Sequence, residues 1–290
     1  MYNISLAMAV LPVILLCLFI YMKDNNKEPF PLLAKIFLLG VVMAVPVVIA
    51  EVVFDVFFNT DDISSFIVIF IFVFLSVGII EEGAKFIVTK FIGYDDKEFD
   101  EVYDIIVYSA FASLGFACIE NILYVFNYGL GVAITRALLS VPGHLCFGVL
   151  MGYFLAMAKI NSINNNKSLY YRNMILSLLV PTLVHTMYDA LILYAENMES
   201  SIVFLLFIIF DINMVIVCFI TVNMVSKMQV GIKKNYIPSR VINKNVQVPQ
   251  NGHTVQQNAQ SVQQTIIYCP ICGKYTGDDV YCGRCGYKLK

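Results

Sequence analysis

Seven apolar runs, each long enough to cross a bilayer, constrain this chain more than any other feature. They cover approximately Ile4–Met22, Leu32–Val56, Ile63–Ile92, Val102–Phe126, Val132–Lys159, Asn173–Tyr194 and Ile202–Val225. A membrane-spanning helix needs about 20 residues, and hydrocarbon forces each backbone polar group to bond within its own segment. Hydrophobic residues make up 59% of the 290 and charged residues 14%, whereas a soluble domain is charged at about a quarter of its positions. The expected fold is an all-α polytopic membrane protein of about seven transmembrane helices, with a small C-terminal zinc ribbon. The third run is over-long and must tilt, project from the bilayer, or break near Gly78 or Gly83. The first run follows Met1-Tyr2-Asn3 without a basic segment or a small-x-small cleavage site, so a retained anchor is expected.

Basic residues set the expected orientation. Lys23 and Lys27, Lys90 and Lys97, then Lys159, Lys167 and Arg172 fall in alternate loops, and Lys227, Lys233, Lys234 and Arg240 follow the last run. The intervening loops carry Asp61, Asp62, Glu196 and Glu199 without Lys or Arg. The positive-inside rule then places a multi-pass protein in the cell membrane with its N-terminus outside and its C-terminal ribbon in the cytoplasm. Arg136 departs from that pattern.

Three regions are expected: a transmembrane core over 1–228, a Gln/Asn-rich disordered linker over 229–265, and a ribbon over 266–290. Within the last are Cys269-Pro-Ile-Cys272-Gly and Cys282-Gly-Arg-Cys285-Gly, with nine residues between Cys272 and Cys282. Four thiolates from two tight turns fill a tetrahedral zinc shell, and in so short a segment the metal supplies most of the folding free energy. A reducing cytoplasm disfavours the alternative of two disulfides. The closed shell points to a structural zinc and a protein partner. A net charge of −2 is uninformative about a nucleic-acid partner, for which the ribbon offers only Lys274, Arg284, Lys288 and Lys290, so a protein partner is expected instead.

Ionisable groups inside apolar spans mark functional sites by default. Glu81-Glu82-x-x-Lys85 lies in the third run, Glu120-Asn121 in the fourth, His144 in the fifth and His185-x-x-x-Asp189 in the sixth. Asp100-Glu101-Val102-Tyr103-Asp104 sits at the entrance of the fourth. On a helix Glu81 and Lys85 are i,i+4 neighbours, leaving Glu82 as the freer carboxylate. His185 and Asp189 share one face, where the carboxylate can fix the imidazole tautomer or the pair can share a ligand. Taken singly, a Glu–Lys pair can close a helix end, and a histidine or asparagine can bridge two helices. Together the carboxylates and imidazoles supply what hydrolysis of an amide by water requires: a base, a proton donor and donors for the oxyanion. Cys17, Cys118, Cys146 and Cys218 read as packing residues on apolar helices. Two other classes fit the same acids: a non-enzymatic membrane sensor or scaffold whose ribbon binds a partner, and an ion-coupled transporter. No inverted repeat supports the transporter.

These motifs, with Phe99-Asp100-Glu101-x-Tyr103-Asp104, Gly115-Phe116-Ala117-x-x-Glu120-Asn121, and His144 followed by Gly148 and Gly152, resemble the PrsW family of bacterial intramembrane proteases. That family is related to CAAX-type prenyl-protein endopeptidases and Abi proteins, and the resemblance runs from about Leu32 to Val225. It implies an endopeptidase acting on a membrane protein, such as an anti-sigma factor during envelope stress. It further implies that Glu81 or Glu82 activates water and that His144 or His185 partners the water or a metal. Glu120 and Asn121 would orient the site or steady the intermediate, with Lys85, Glu101 and Asp189 in support. The family is described as metalloproteases, while related enzymes resemble glutamate-dependent ones, so a catalytic metal is left open. The ribbon falls outside the resemblance.

Overall fold

The computed structural model of the chain describes residues 2–57 and 65–227. The expected linker over 229–265 and ribbon over 266–290 lie outside the described residues, as do residues 58–64. Seven helical spans long and apolar enough to cross a membrane are present, matching the seven runs. They are built from α1 (Tyr2–Lys23), α2 (Phe30–Phe57), α3 (Phe66–Val73), α4 (Ile79–Val88), α5 (Asp104–Tyr128), α6 (Leu130–Thr135), α7 (Val141–Ile163), α8 (Lys167–Asn197) and α9 (Ser201–Val225).

The over-long third run stays helical by changing its pitch. Between α3 and α4 the chain makes a π-helical turn over Phe74–Gly78, and a second follows α4 over Thr89–Tyr94. A third, Arg136–Ser140, joins α6 to α7 within the fifth span. A π-turn inserts a residue into the helical repeat and so re-aims whatever follows. Beyond Gly78 the re-aimed face buries Glu81, Glu82, Ala84, Lys85 and Val88, while Ile79 and Ile87 face outward.

α5 is the central helix, packed by α1 and α2 on one side and α7 on the other. Its small residues explain that position. A methyl added at Gly115 would overlap the backbone of Phe37, and one at Gly40 the backbone of Ala112, so α2 and α5 touch main chain to main chain. On the opposite side a Cβ at Gly148 would come within 2.8 Å of the Ser109 carbonyl oxygen, and one at Gly152 within 2.7 Å of Ile106 Cα. Lipid is as apolar as leucine, so membrane helices associate through such close packing and through interhelical hydrogen bonds. Cys118, Cys146 and Cys218 are buried, free thiols. The outer faces of α1, α2 and α9 carry exposed Leu, Ile, Val and Phe, as a lipid-facing surface requires.

Candidate active site

The buried polar groups of four spans meet around one ammonium. Lys85 Nζ lies 2.9 Å from Glu81 Oε2, 2.8 Å from Glu82 Oε1 and 3.0 Å from His144 Nδ1. An ammonium has three protons and no lone pair, so these three contacts use all of them and make His144 Nδ1 the acceptor. The His144 proton then sits on Nε2, which is 2.8 Å from Glu120 Oε2. The Lys85 ammonium also stands 4.5 Å from the ring centroid of Phe116, a cation–π placement.

On the other side, His185 Nδ1 is 2.9 Å from Glu82 Oε1, and its Nε2 is 3.2 Å from Asp189 Oδ2. Asp189 thus holds the His185 ring as the one-turn spacing predicts. Phe147 stacks on that ring with centroids 4.4 Å apart. Both imidazoles are therefore fixed by a carboxylate at one nitrogen and by the Glu82–Lys85 centre at the other. Glu82 itself is fully buried, and its Oε2 has no hydrogen-bond partner.

The network continues to the far end of the bundle. Arg136, in the third π-turn, places Nη2 2.8 Å from Glu120 Oε1 and donates from Nε to Asn121 Oδ1 at 3.1 Å. Asn121 in turn donates to the Ala9 carbonyl on α1 at 2.7 Å. Both ends of the Asn121 amide are committed, so it holds Arg136 in place.

Glu81, Glu82, Lys85, Glu120, Asn121, His144, His185 and Asp189 accordingly form one connected assembly. Glu101 does not join it: it sits with Asp24 and Asp104 in a separate acidic cluster at one end of the bundle. The expectation that Lys85 pairs with Glu81 and leaves Glu82 freer is corrected. Glu82 lies at i,i+3 to Lys85 and receives it at least as closely as Glu81 does. Two residues were missed. Arg136 stood out in the sequence only as an exception to the charge pattern. Glu51, on α2, has a buried Oε1 without a hydrogen-bond partner and feels the charges of Glu81, Glu120, His185 and Lys85. A carboxylate alone in the second apolar run was the signal for it.

Two donor sets suit a metal. Glu81, Glu82 and His185 offer ligand atoms within 4.8 Å of one another, as do Glu81, Glu120 and His144. Carboxylate oxygen and imidazole nitrogen are zinc donors, and three of them leave a fourth position for water.

Residues 28–220 match the profile of a family described as "PrsW family intramembrane metalloprotease". The chain is 37% identical over 184 residues to the protein named Protease PrsW from Oceanobacillus iheyensis, covering 63% of this chain and 80% of that one. It is 36% identical over 189 residues to Protease PrsW of Bacillus subtilis, covering 65% and 82%. With Protease PrsW of Clostridioides difficile it shares 33% over 207 residues, covering 70% and 84%. No solved structure matches. The matched segment spans every residue of the buried assembly, and the chain belongs to the PrsW family of intramembrane proteases.

Proposed function

We propose that the chain hydrolyses a peptide bond of a membrane-protein substrate with Glu82 as the base that activates water. The observation that carries this reading is the unpartnered Oε2 of Glu82 on a carboxylate whose other oxygen is pinned by Lys85 and His185. Pinning one oxygen fixes the direction of the other, which is the preorganisation a general base needs. In the proposed step water gives a proton to Glu82 Oε2 as its oxygen adds to the scissile carbonyl carbon. The tetrahedral intermediate then expels the amine, which takes that proton back from Glu82 as the C–N bond breaks. Lys85 and the His185 ring, both close to the reacting centre, offset the developing negative charge. Glu120 holds His144, Asp189 holds His185, and Asn121 acts through Arg136. Glu81 shares the Lys85 ammonium and keeps it in place.

In a second arrangement, Glu81, Glu82 and His185 would hold a metal, which would act as a Lewis acid and lower the pKa of a bound water. Glu82 would then be a ligand in place of the base. The cofactor of the tail is a structural zinc held by Cys269, Cys272, Cys282 and Cys285, with a protein partner for the ribbon. An anti-sigma factor is the substrate class implied by the family resemblance. The charge pattern of the loops supports an N-terminus outside and a cytoplasmic ribbon.

Purified full-length protein in detergent, offered a single-span membrane peptide, tests the reading. Glu82→Gln should lower the cleavage rate about 10²–10⁴-fold, the usual worth of a general base, with helix content unchanged. Undiminished cleavage by that variant would remove Glu82 from the role.

A further inference from the structure

A second polar cluster stands apart from the assembly around Lys85. It lies where the loop between α1 and α2 meets the segment leading into α5. One ligand oxygen from each of Asp24, Glu101 and Asp104 falls within 4.8 Å of the others, and all three residues are buried. Glu28 shares a side-chain hydrogen bond with Asp104, and the charges of Asp24 and Asp100 act on it.

Carboxylates gathered this closely repel unless a cation or protons lie among them. Lys27 is the ammonium that acts on Asp24, but its Nζ donates to the backbone carbonyls of Tyr21 and Asp24 instead. Tyr108 donates its hydroxyl proton to Glu28 Oε2. Asp104 Oδ2 accepts from the backbone N–H groups of Asp100 at 2.9 Å and Glu101 at 2.6 Å. Asp24 Oδ1 accepts from the Asn26 N–H at 3.1 Å.

A remaining oxygen is the second observation. Asp24, 3% exposed, keeps one buried oxygen, Oδ2, with no hydrogen-bond partner, and the fully buried Asp104 meets only the Glu28 carboxyl beyond its two backbone donors. A buried carboxylate oxygen without a donor is costly, and this one belongs to a side chain that converges on Glu101 and Asp104. Backbone N–H groups fix one oxygen of Asp24 and one of Asp104, so the geometry is held before any ligand arrives.

We propose that Asp24, Glu101 and Asp104, with Glu28 beside them, bind a hard divalent cation of the Ca²⁺ or Mg²⁺ type. The donors are all oxygen, which selects such cations over zinc or copper. Ca²⁺ takes oxygen ligands at about 2.3–2.6 Å, so oxygens on opposite sides of one ion stand up to about 5 Å apart. The spread found here is within that limit. Carbonyl oxygens and water would complete the shell. The ion would tie the α1–α2 loop to the start of α5, the helix that carries Glu120 and Asn121.

Tb³⁺ binding to full-length, zinc-loaded protein in detergent tests the site. Tb³⁺ takes the same oxygen ligands and is sensitised by nearby tyrosine, here Tyr108, in a chain without Trp. Emission should saturate, be displaced by Ca²⁺, and persist in Glu82→Gln. The Asp24→Asn/Glu101→Gln double variant should raise the apparent Kd at least tenfold. If the double variant fails to fold, Asp24→Asn alone carries the comparison, because its amide oxygen can still accept from Asn26. Equal binding by wild type and variant, or loss of emission in Glu82→Gln, would overturn the assignment.

Discussion

Lys85 Nζ and His144 Nδ1 lie 3.0 Å apart although 59 residues separate them in the chain. The contact links α4 to α7 at the centre of the bundle, and through it the Glu81–Glu82 pair reaches Glu120 and Arg136. Without Lys85, two carboxylates would share a buried site with no ammonium between them. Removing one partner of a buried ion pair typically costs about 3–5 kcal/mol. Lys85→Met should therefore unfold well below wild type in detergent, and Lys85→Met/Glu81→Gln should recover a substantial part of the loss. Additive losses in the double variant, read from thermal unfolding, would contradict the shared-ammonium arrangement.

The spans were legible in the sequence because membrane-crossing length and apolarity are local properties. The excess length of the third run was legible for the same reason, but not its outcome. Among tilt, projection and a break near Gly78 or Gly83 the sequence does not choose, and the chain stays helical through a π-turn over Phe74–Gly78. The meeting of Glu82, His144 and His185 was legible only as a set of ionisable residues on successive spans. What the sequence withholds is the rotation of each helix about its axis. That rotation decides that Lys85 touches both Glu81 and Glu82. It also places Glu51 of α2 where it feels the charges of Glu81, Glu120, His185 and Lys85. Arg136 was hidden differently: it lies in a π-turn that the apolar pattern read as ordinary helix.

The orientation inferred from the loop charges has a direct check. Asn165, between α7 and α8, belongs to a loop flanked by Lys159, Lys167 and Arg172, and Glu199, between α8 and α9, to one without Lys or Arg. A cysteine introduced as Asn165→Cys should react with a membrane-impermeant maleimide only after the cells are opened. One introduced as Glu199→Cys should react in intact cells. Four native cysteines of the core lie within helices, and a variant with Cys269, Cys272, Cys282 and Cys285 changed to Ser lowers the background. The reverse labelling pattern would invert the protein in the membrane.

The tail makes a quantitative prediction about metal content. Full-length protein purified without added metal should carry one zinc bound by the four tail thiolates. Cys269→Ser/Cys272→Ser should lose one equivalent by elemental analysis, since two thiolates do not hold zinc as four do. Any zinc that remains in that variant, and disappears on further change of His185→Ala, would belong to the buried assembly. Unchanged zinc in Cys269→Ser/Cys272→Ser would remove the ribbon.

Stability should depend on pH through the acidic cluster outside the spans. Burial raises Asp24 from 3.8 to about 6, with Lys27 and the Asn26 N–H opposing it. Burial raises Glu28 from 4.5 to about 7, Tyr108 opposing and Asp24 and Asp100 adding to it. Glu101 also rises from 4.5 to about 7, first through burial and then through Asp24, Asp100 and Glu28. A carboxyl whose folded pKa is raised holds its proton in the folded state after the unfolded chain has released it. Stability from these groups is present below their unfolded values near pH 4 and is lost as pH rises through about 6–7. In cation-free buffer the melting temperature should thus fall between about pH 5 and pH 8. Millimolar Ca²⁺ should restore it at pH 8 and change it little at pH 5, because protons and the cation compete for the same oxygens. A melting temperature that climbs from pH 5 to pH 8 without the cation would show that these carboxylates are ionised and separately satisfied in the folded chain.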